Sequence, residues 1–498
     1  MAGSLVRSIA AAALATYGVN FLDIAPPSTT TGVSTKQIGI VGDFPWGPQN
    51  VVTLCGSAAD FFNTFCPSVF ENAKTYTAIR AMLNKRFPGP IQVCRIAAAS
   101  SVARSDSYTV SGGAIVWTAN YKGAVASDIT VTFAAASDGV STSRDITIAI
   151  GTGYSVTYTN VTLASITSLG NDYITFTKTS SPSVLPAAAA TATSTTAGAD
   201  GTATAANYVG TGSSNVGIRK FYASNLSVDV LFVAECPSAL IDDVNDGLKA
   251  YCDDAGKPGM AVLCSVASQT ATAAITYVAD YRQLDSKLVY CWPRVTTTDT
   301  NDADFAAVTV DGNAFMAVAM ASANPWVSPE GKPSAASLGA ITALETDDSP
   351  DATYEALNAA GISTFFIEQT IGPMVRGAYT TNVVSGQTDI VRSAYRSYLT
   401  KTLATYAINY VGVPLDVDLT NQRLGENTSG LRDAIVGFLA AEQQKGRING
   451  YTVDPYGANT SGDIDAGTWT VNVAVDTFAP TRVMIIRTTV GSTVVTTS

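Results

Sequence analysis

Hydrophobic positions along this chain change period several times, and the changes divide it into blocks. The apolar runs QIGIV (37–41) and VVTLC (51–55) have strand length, and a helix is predicted from Ser57 through Phe65. A longer helix follows over Glu71–Arg86, with Tyr76, Ile79, Met82 and Leu83 at three- and four-residue steps. FPGP (87–90) stops it, because proline lacks the N–H that a continuing helix needs, and IQVCRI (91–96) reads as another strand. Strands and helices alternating at this spacing predict an α/β layer.

At about Tyr108 the period drops to two. AIVWTA, DITVTF, DITIAI, YSVTYT and DYITFT alternate apolar and polar residues, and turn residues recur between them, the pattern of a β-sandwich or barrel inserted over 108–210. Within it, the Ala/Thr-rich run 186–206 reads as an exposed flexible loop or linker. From Val216 the α/β pattern resumes. The apolar strand 228–235 leads to a helix over 240–256, with Leu240, Val244, Leu248 and Cys252 on one face and Gly256 closing it. MAVLCSV (260–266), a helix over 271–284 and KLVYCWP (287–293) follow, so parallel strands joined by right-handed crossovers are expected. The last block holds two amphipathic helices. Val391, Tyr395, Leu399, Leu403 and Tyr406 stripe 389–410; Leu431, Ile435, Phe438 and Leu439 stripe 429–444, with Ser429 as the expected N-cap. Strands over 446–454 and 469–480 and a β-branched tail complete it.

Composition narrows the chemistry. The 498 residues are 46% hydrophobic and 14% charged, and they contain no histidine, which removes Ser-His-Asp catalysis and histidine-ligated zinc. The seven cysteines form no CxxC pair and several sit in apolar runs, so they read as small buried hydrophobes in a reducing compartment. Residues 211–380 hold 9 basic and 20 acidic side chains, the main source of the net charge of −11, and no segment clusters Lys and Arg as a phosphate backbone requires. Gly331-Lys332 resembles the end of a phosphate loop but has Trp326 where the first glycine belongs, and Asp242, Asp243 and Asp246 lack calcium-loop spacing. Catalytic residues, cofactors and metals are therefore not expected. Residues 1–16 read as a terminal arm or helix and not as a cleaved leader, and no apolar run reaches the roughly 20 residues of a membrane span.

Several short motifs occur in a telling order. An extended segment around Val19–Ile24 ends at Pro26-Pro27, then IVGDFPWGP (40–48) joins a strand to a turn. A small-residue helix leads into NPWVSPEGK (324–332), LNAAGIS (357–363) links a helix to a strand, and two helices precede GRINGYTVD (446–454). This succession resembles the contractile tail sheath proteins of bacteriophages and related injection machines, outside 108–210.

The resemblance implies an α/β (α+β) multidomain protein. It divides into an N-terminal arm (1–24), a discontinuous α/β core (25–107 and 211–380), the β insertion (108–210), a C-terminal α+β domain (381–480) and a C-terminal arm (481–498). It implies a non-enzymatic subunit that polymerises with itself, as hexameric rings stacked into a helical sheath, around a tail tube protein. Contraction would drive the tube through the host envelope, with baseplate and tail terminator proteins as further partners, in a virion assembled in the host cytoplasm. Val19, Phe21 and Ile24, with Val483, Ile485, Ile486, Val490 and Val494, are the implied inter-subunit strand-exchange residues, or else ordinary edge strands. Arg392, Arg396, Lys401, Arg432 and Lys445 are candidate tube contacts, or else solvated helix faces. A secreted or surface β-rich adhesin and another virion tail component are the alternatives.

Overall fold

A computed structural model describes residues 37–70, 76–85, 89–222, 228–253, 259–282, 287–298, 307–331, 336–346, 351–368, 372–383 and 390–478. The two arms, the start of the 71–86 helix and Gly256 lie outside them.

An eight-stranded sheet organises the α/β layer. Across it run Gly372–Gly377, Ile362–Glu368, Leu288–Trp292, Met260–Val262, Val230–Val233, Ile38–Gly42, Ile91–Arg95 and Val52–Cys55. The six inner strands are parallel and the two edges antiparallel. Successive side chains point to opposite faces, and both faces are apolar. Ile38, Ile40, Val230, Phe232, Val289 and Cys291 pack under the helices Ala58–Phe65, Thr77–Lys85 and Asn313–Ser322. Val41, Leu231, Val233, Leu288 and Tyr290 pack under Ile241–Asp253, Ala271–Val278 and Asp351–Ala359. The helix Asn313–Ser322 is buried from Asn313 through Ala321, as a helix of small and apolar residues on every side must be.

The inserted strands form two antiparallel sheets. One orders Ser194–Thr196, Ser105–Val110, Gly113–Ala119 and Ile174–Ser180; the other orders Ile129–Ala135, Arg144–Ile150 and Tyr154–Val161. Ile115, Trp117, Phe133, Ile148 and Phe176 close the space between them. The run 186–206 is largely exposed, as expected, but it carries short elements: Ser194–Thr196 is an edge strand, and Ala205–Val209 is a short helix whose first turn Thr204 and Asn207 cap reciprocally. Ala and Thr carry little hydrophobic contrast, so periodicity alone could not reveal docking onto a sheet edge.

In the C-terminal block, helices Ile390–Ala407 and Glu426–Gln444 pack through Tyr395, Leu399, Leu431, Ile435 and Leu439 against the hairpin of Ile448–Asp454 and Asn472–Thr477. The second helix starts earlier than predicted, and Ser429 is not its cap. Asp416, from the preceding loop, accepts from the amides of Asn427 (2.8 Å) and Thr428 (2.9 Å) and from the Thr428 hydroxyl (2.6 Å). A non-local carboxylate thus serves the open N–H groups that a local serine would have served.

Candidate assembly surfaces

The IVGDFPWGP turn is held from beneath by Arg95, a side chain that the sequence did not single out. Buried at the end of its strand, Arg95 donates to the carbonyls of Phe44 (2.5 Å), Gly47 (2.9 Å), Pro45 (3.2 Å) and, in the insertion, Lys122 (2.7 Å). Burial lowers its pKa to about 10, against the pull of Asp43 and Asp200. Gly47 has φ +97, and a Cβ there would stand 2.6 Å from the Thr64 carbonyl, so glycine is required. The turn aims Trp46 at the insertion, where it packs on Tyr121 (5.2 Å between centroids), with Phe70 of the core (4.8 Å) beside it. The motif is therefore the joint between layer and insertion.

The NPW loop meets the C-terminal block in a similar way. Arg447 lies over Trp326, 3.4 Å from the ring centroid, and its guanidinium bonds Glu442 at 2.8 and 3.1 Å. Glu442 is fully buried and also accepts from Lys445 (3.1 Å) and the Tyr395 hydroxyl (3.0 Å). Burial alone would raise this carboxyl; the bonds from Arg447, Lys445 and Tyr395 outweigh it and hold the pKa below the ordinary value. Tyr395 is pushed up, by burial first and by the Glu442 charge next.

The candidate cations have different placements. Lys401 is buried, with Nζ 2.6 Å from Asp229 Oδ1, and Asp229 also accepts from the Gln37 amide at 3.0 Å. The ammonium is committed inside the subunit, tying the first C-terminal helix to the entrance of the large sheet. Lys445 is half engaged with Glu442, and Arg432 pairs with Asp433 on the surface. Arg392 and Arg396 border a groove between their helix and the hairpin, floored by Leu399, Leu403, Val471, Val473 and Val475. Beside it, among the described residues, the strand Asn472–Thr477 is paired on one side only. A groove with an apolar floor next to an open edge can seat one more strand. The strand-exchange candidates from Val19 to Ile24 and from Val483 to Val494 lie outside the described residues.

No protein-family profile matches the chain, and no curated protein sequence does. Solved structures do. The sheath tail protein of Desulfitobacterium hafniense is similar at 15% identity, over 89% of this chain and 96% of that one, with a TM-score of 0.59. The sheath tail protein of Listeria innocua is similar at 14% identity, over 89% and 95%, with a TM-score of 0.60. This chain has the tail-sheath fold. The helical sheath of the anti-feeding prophage in its contracted state is similar as well, at 14% identity over 92% and 94%, with a TM-score of 0.52. The sheath fold thus extends through the α/β layer to the C-terminal block and is not confined to one piece.

Proposed function

We propose that this protein is the structural subunit of a contractile tail sheath, non-enzymatic, that polymerises helically around a tail tube and contracts to drive the tube through the host envelope during genome delivery. The observation that carries the reading is the near end-to-end likeness to sheath proteins, and the groove and open edge of the C-terminal block support it. In this reading, residues 25–107 and 211–380 are the core, 108–210 the inserted domain and 381–480 the C-terminal domain. The arms, 1–24 and 481–498, leave the subunit. Val19, Phe21 and Ile24 or Val483, Ile485, Ile486, Val490 and Val494 of a neighbouring copy add a strand beside Asn472–Thr477, each main-chain hydrogen bond adding about 0.5–1.5 kcal/mol. Hexameric rings stack into the sheath within the virion, and the tail tube, baseplate and tail terminator proteins are its partners. On the C-terminal helices, Arg396 and Arg432 present exposed charge suited to the tube, and Lys401 does not.

Electron microscopy of the purified protein tests this directly. Hollow striated tubes or rings are expected, and Leu403→Asp, which places a charge in the groove, is expected to leave a folded chain that no longer assembles. A native protein that stays monomeric at high concentration overturns the reading.

A further inference from the structure

Four loops at one end of the β insertion leave a cavity of about 650 Å³ between them. They follow Ser105–Val110, Ile129–Ala135, Tyr154–Val161 and Ile174–Ser180. These strand ends lie opposite to the joint, where Trp46 meets Tyr121 and Tyr173. Loops gathered at the end of a rigid sandwich are a common place for ligands, and the volume falls within the roughly 300–1,000 Å³ of small-molecule sites. Among the described residues of the lining, Arg144 alone is charged. It opens the strand Arg144–Ile150 beside a bulge, with Val161 opposite Arg144 but Tyr158 opposite Ile146, so the neighbouring strand carries one extra residue. In that bulge Asn160 has φ +56, a left-handed conformation that asparagine tolerates. Its amide donates to Asp145 (2.7 Å), and its side-chain oxygen accepts from the Ser137 hydroxyl (3.2 Å) and the Asp138 amide (3.0 Å). These bonds hold the loop that brings Ser141 and Thr142 to the cavity. The guanidinium is held as well: Nε donates to the Pro186 carbonyl (2.8 Å), and Nη1 to those of Ser141 (2.8 Å) and Ser143 (2.6 Å). Its third nitrogen, Nη2, and the hydroxyls of Ser141 and Thr142 have no hydrogen bond among the described residues.

We propose that this cavity binds a saccharide that carries a carboxylate, with a uronic acid unit at Arg144. The carboxylate accepts from Nη2, and no acidic side chain of the lining opposes it. Three main-chain carbonyls already hold the guanidinium, so binding has little side-chain freedom left to remove there. Sugar hydroxyls exchange hydrogen bonds with Ser141 and Thr142, which can each donate and accept. Leu163 and Val184 supply apolar surface for the C–H face of the ring. A purely apolar ligand would leave the guanidinium without a partner, and a bare inorganic anion would leave most of the cavity unfilled. This inference does not depend on assembly and is tested on the unassembled chain.

The full-length protein is titrated by calorimetry with a trisaccharide of galacturonic acid. Saturable binding is expected, and the carboxyl-reduced trisaccharide should bind about tenfold more weakly or worse, because a charge-assisted bond is lost. Arg144→Gln should abolish binding. Since Arg144 also holds three carbonyls, a second pair of variants keeps the test independent of its structural role. Val184 is 49% exposed, so Val184→Asp and Val184→Lys change the charge beside the cavity and spare the core. The Asp variant should weaken binding about tenfold and the Lys variant should retain or strengthen it, with both melting like the native protein. Four results each overturn the proposal: no saturable heat up to about 10 mM ligand, equal affinity for the reduced trisaccharide, equal affinity for acetate or galactose 6-phosphate, or binding unchanged in Arg144→Gln and Val184→Asp.

Discussion

Asp311 in the α/β layer and Glu442 in the C-terminal block are both buried carboxylates, and their pKa values shift in opposite directions. Asp311 accepts from neutral donors, the Ser265 amide (2.9 Å) and hydroxyl (2.7 Å) and the Asn313 amide (3.1 Å), and the Arg294 charge is the smallest pull on it. Burial outweighs them and raises its pKa from 3.8 to about 6. Glu442 meets Arg447 and Lys445 and shifts down. The layer is sealed on both faces and uses its polar groups to start helices and shape turns. The block is smaller, half-open at its hairpin, and leans on ion pairs at its seams.

The largest effect is expected at the layer's own joint. Arg95→Met removes the donor from four carbonyls and should cost about 4 kcal/mol in urea unfolding; a loss below about 1 kcal/mol would mean that the turn holds without it. Next comes pH. Because the folded pKa of Asp311 lies above its unfolded value, its contribution is whole below pH 4 and is lost as pH rises through about 6, a fall of about 3 kcal/mol. Glu442 has the opposite sign: its contribution is present above its ordinary 4.5 and is lost as acid carries pH through the lowered folded value. Acid should therefore favour the layer and loosen the block, which segment-resolved hydrogen exchange at pH 4 and 7 would read. The Asp311→Asn variant should lose the layer's pH slope, and an unchanged slope breaks the comparison.

The link between the two regions comes third. Lys401→Met leaves Asp229 buried without its cation and should cost roughly 2 kcal/mol, most of it recovered when Asp229→Asn is added. Without that recovery, the pair is not acting as a pair. The smallest effect is at the second seam, where Trp326→Leu should cost about 1 kcal/mol from the lost Arg447 stacking. In an Arg447→Met background the same change should cost less.

Much of this organisation was legible from period alone. Apolar runs of strand length between helical stripes predicted the parallel layer, and strict alternation after Tyr108 predicted the antiparallel insertion, because burial on two faces or one leaves different patterns. Arg95, Asp416 and the Glu442 network were not legible. Arg95 acts on carbonyls 27 to 51 residues away and Tyr395 reaches Glu442 across 47, and a lone Arg or Asp in a sequence looks the same on a surface as in a buried clamp. Lys401 shows the ambiguity best: its helical position suited an outward cation, and Asp229, 172 residues earlier, takes its charge inward.

By itself, then, the sequence determined the element types, their order and the change of architecture between blocks, since those follow from local periodicity and turn chemistry. Only the tertiary structure decided which charges were buried, which turn was clamped and which sheet edge stayed open, because burial and pairing depend on what the fold brings within a few ångströms.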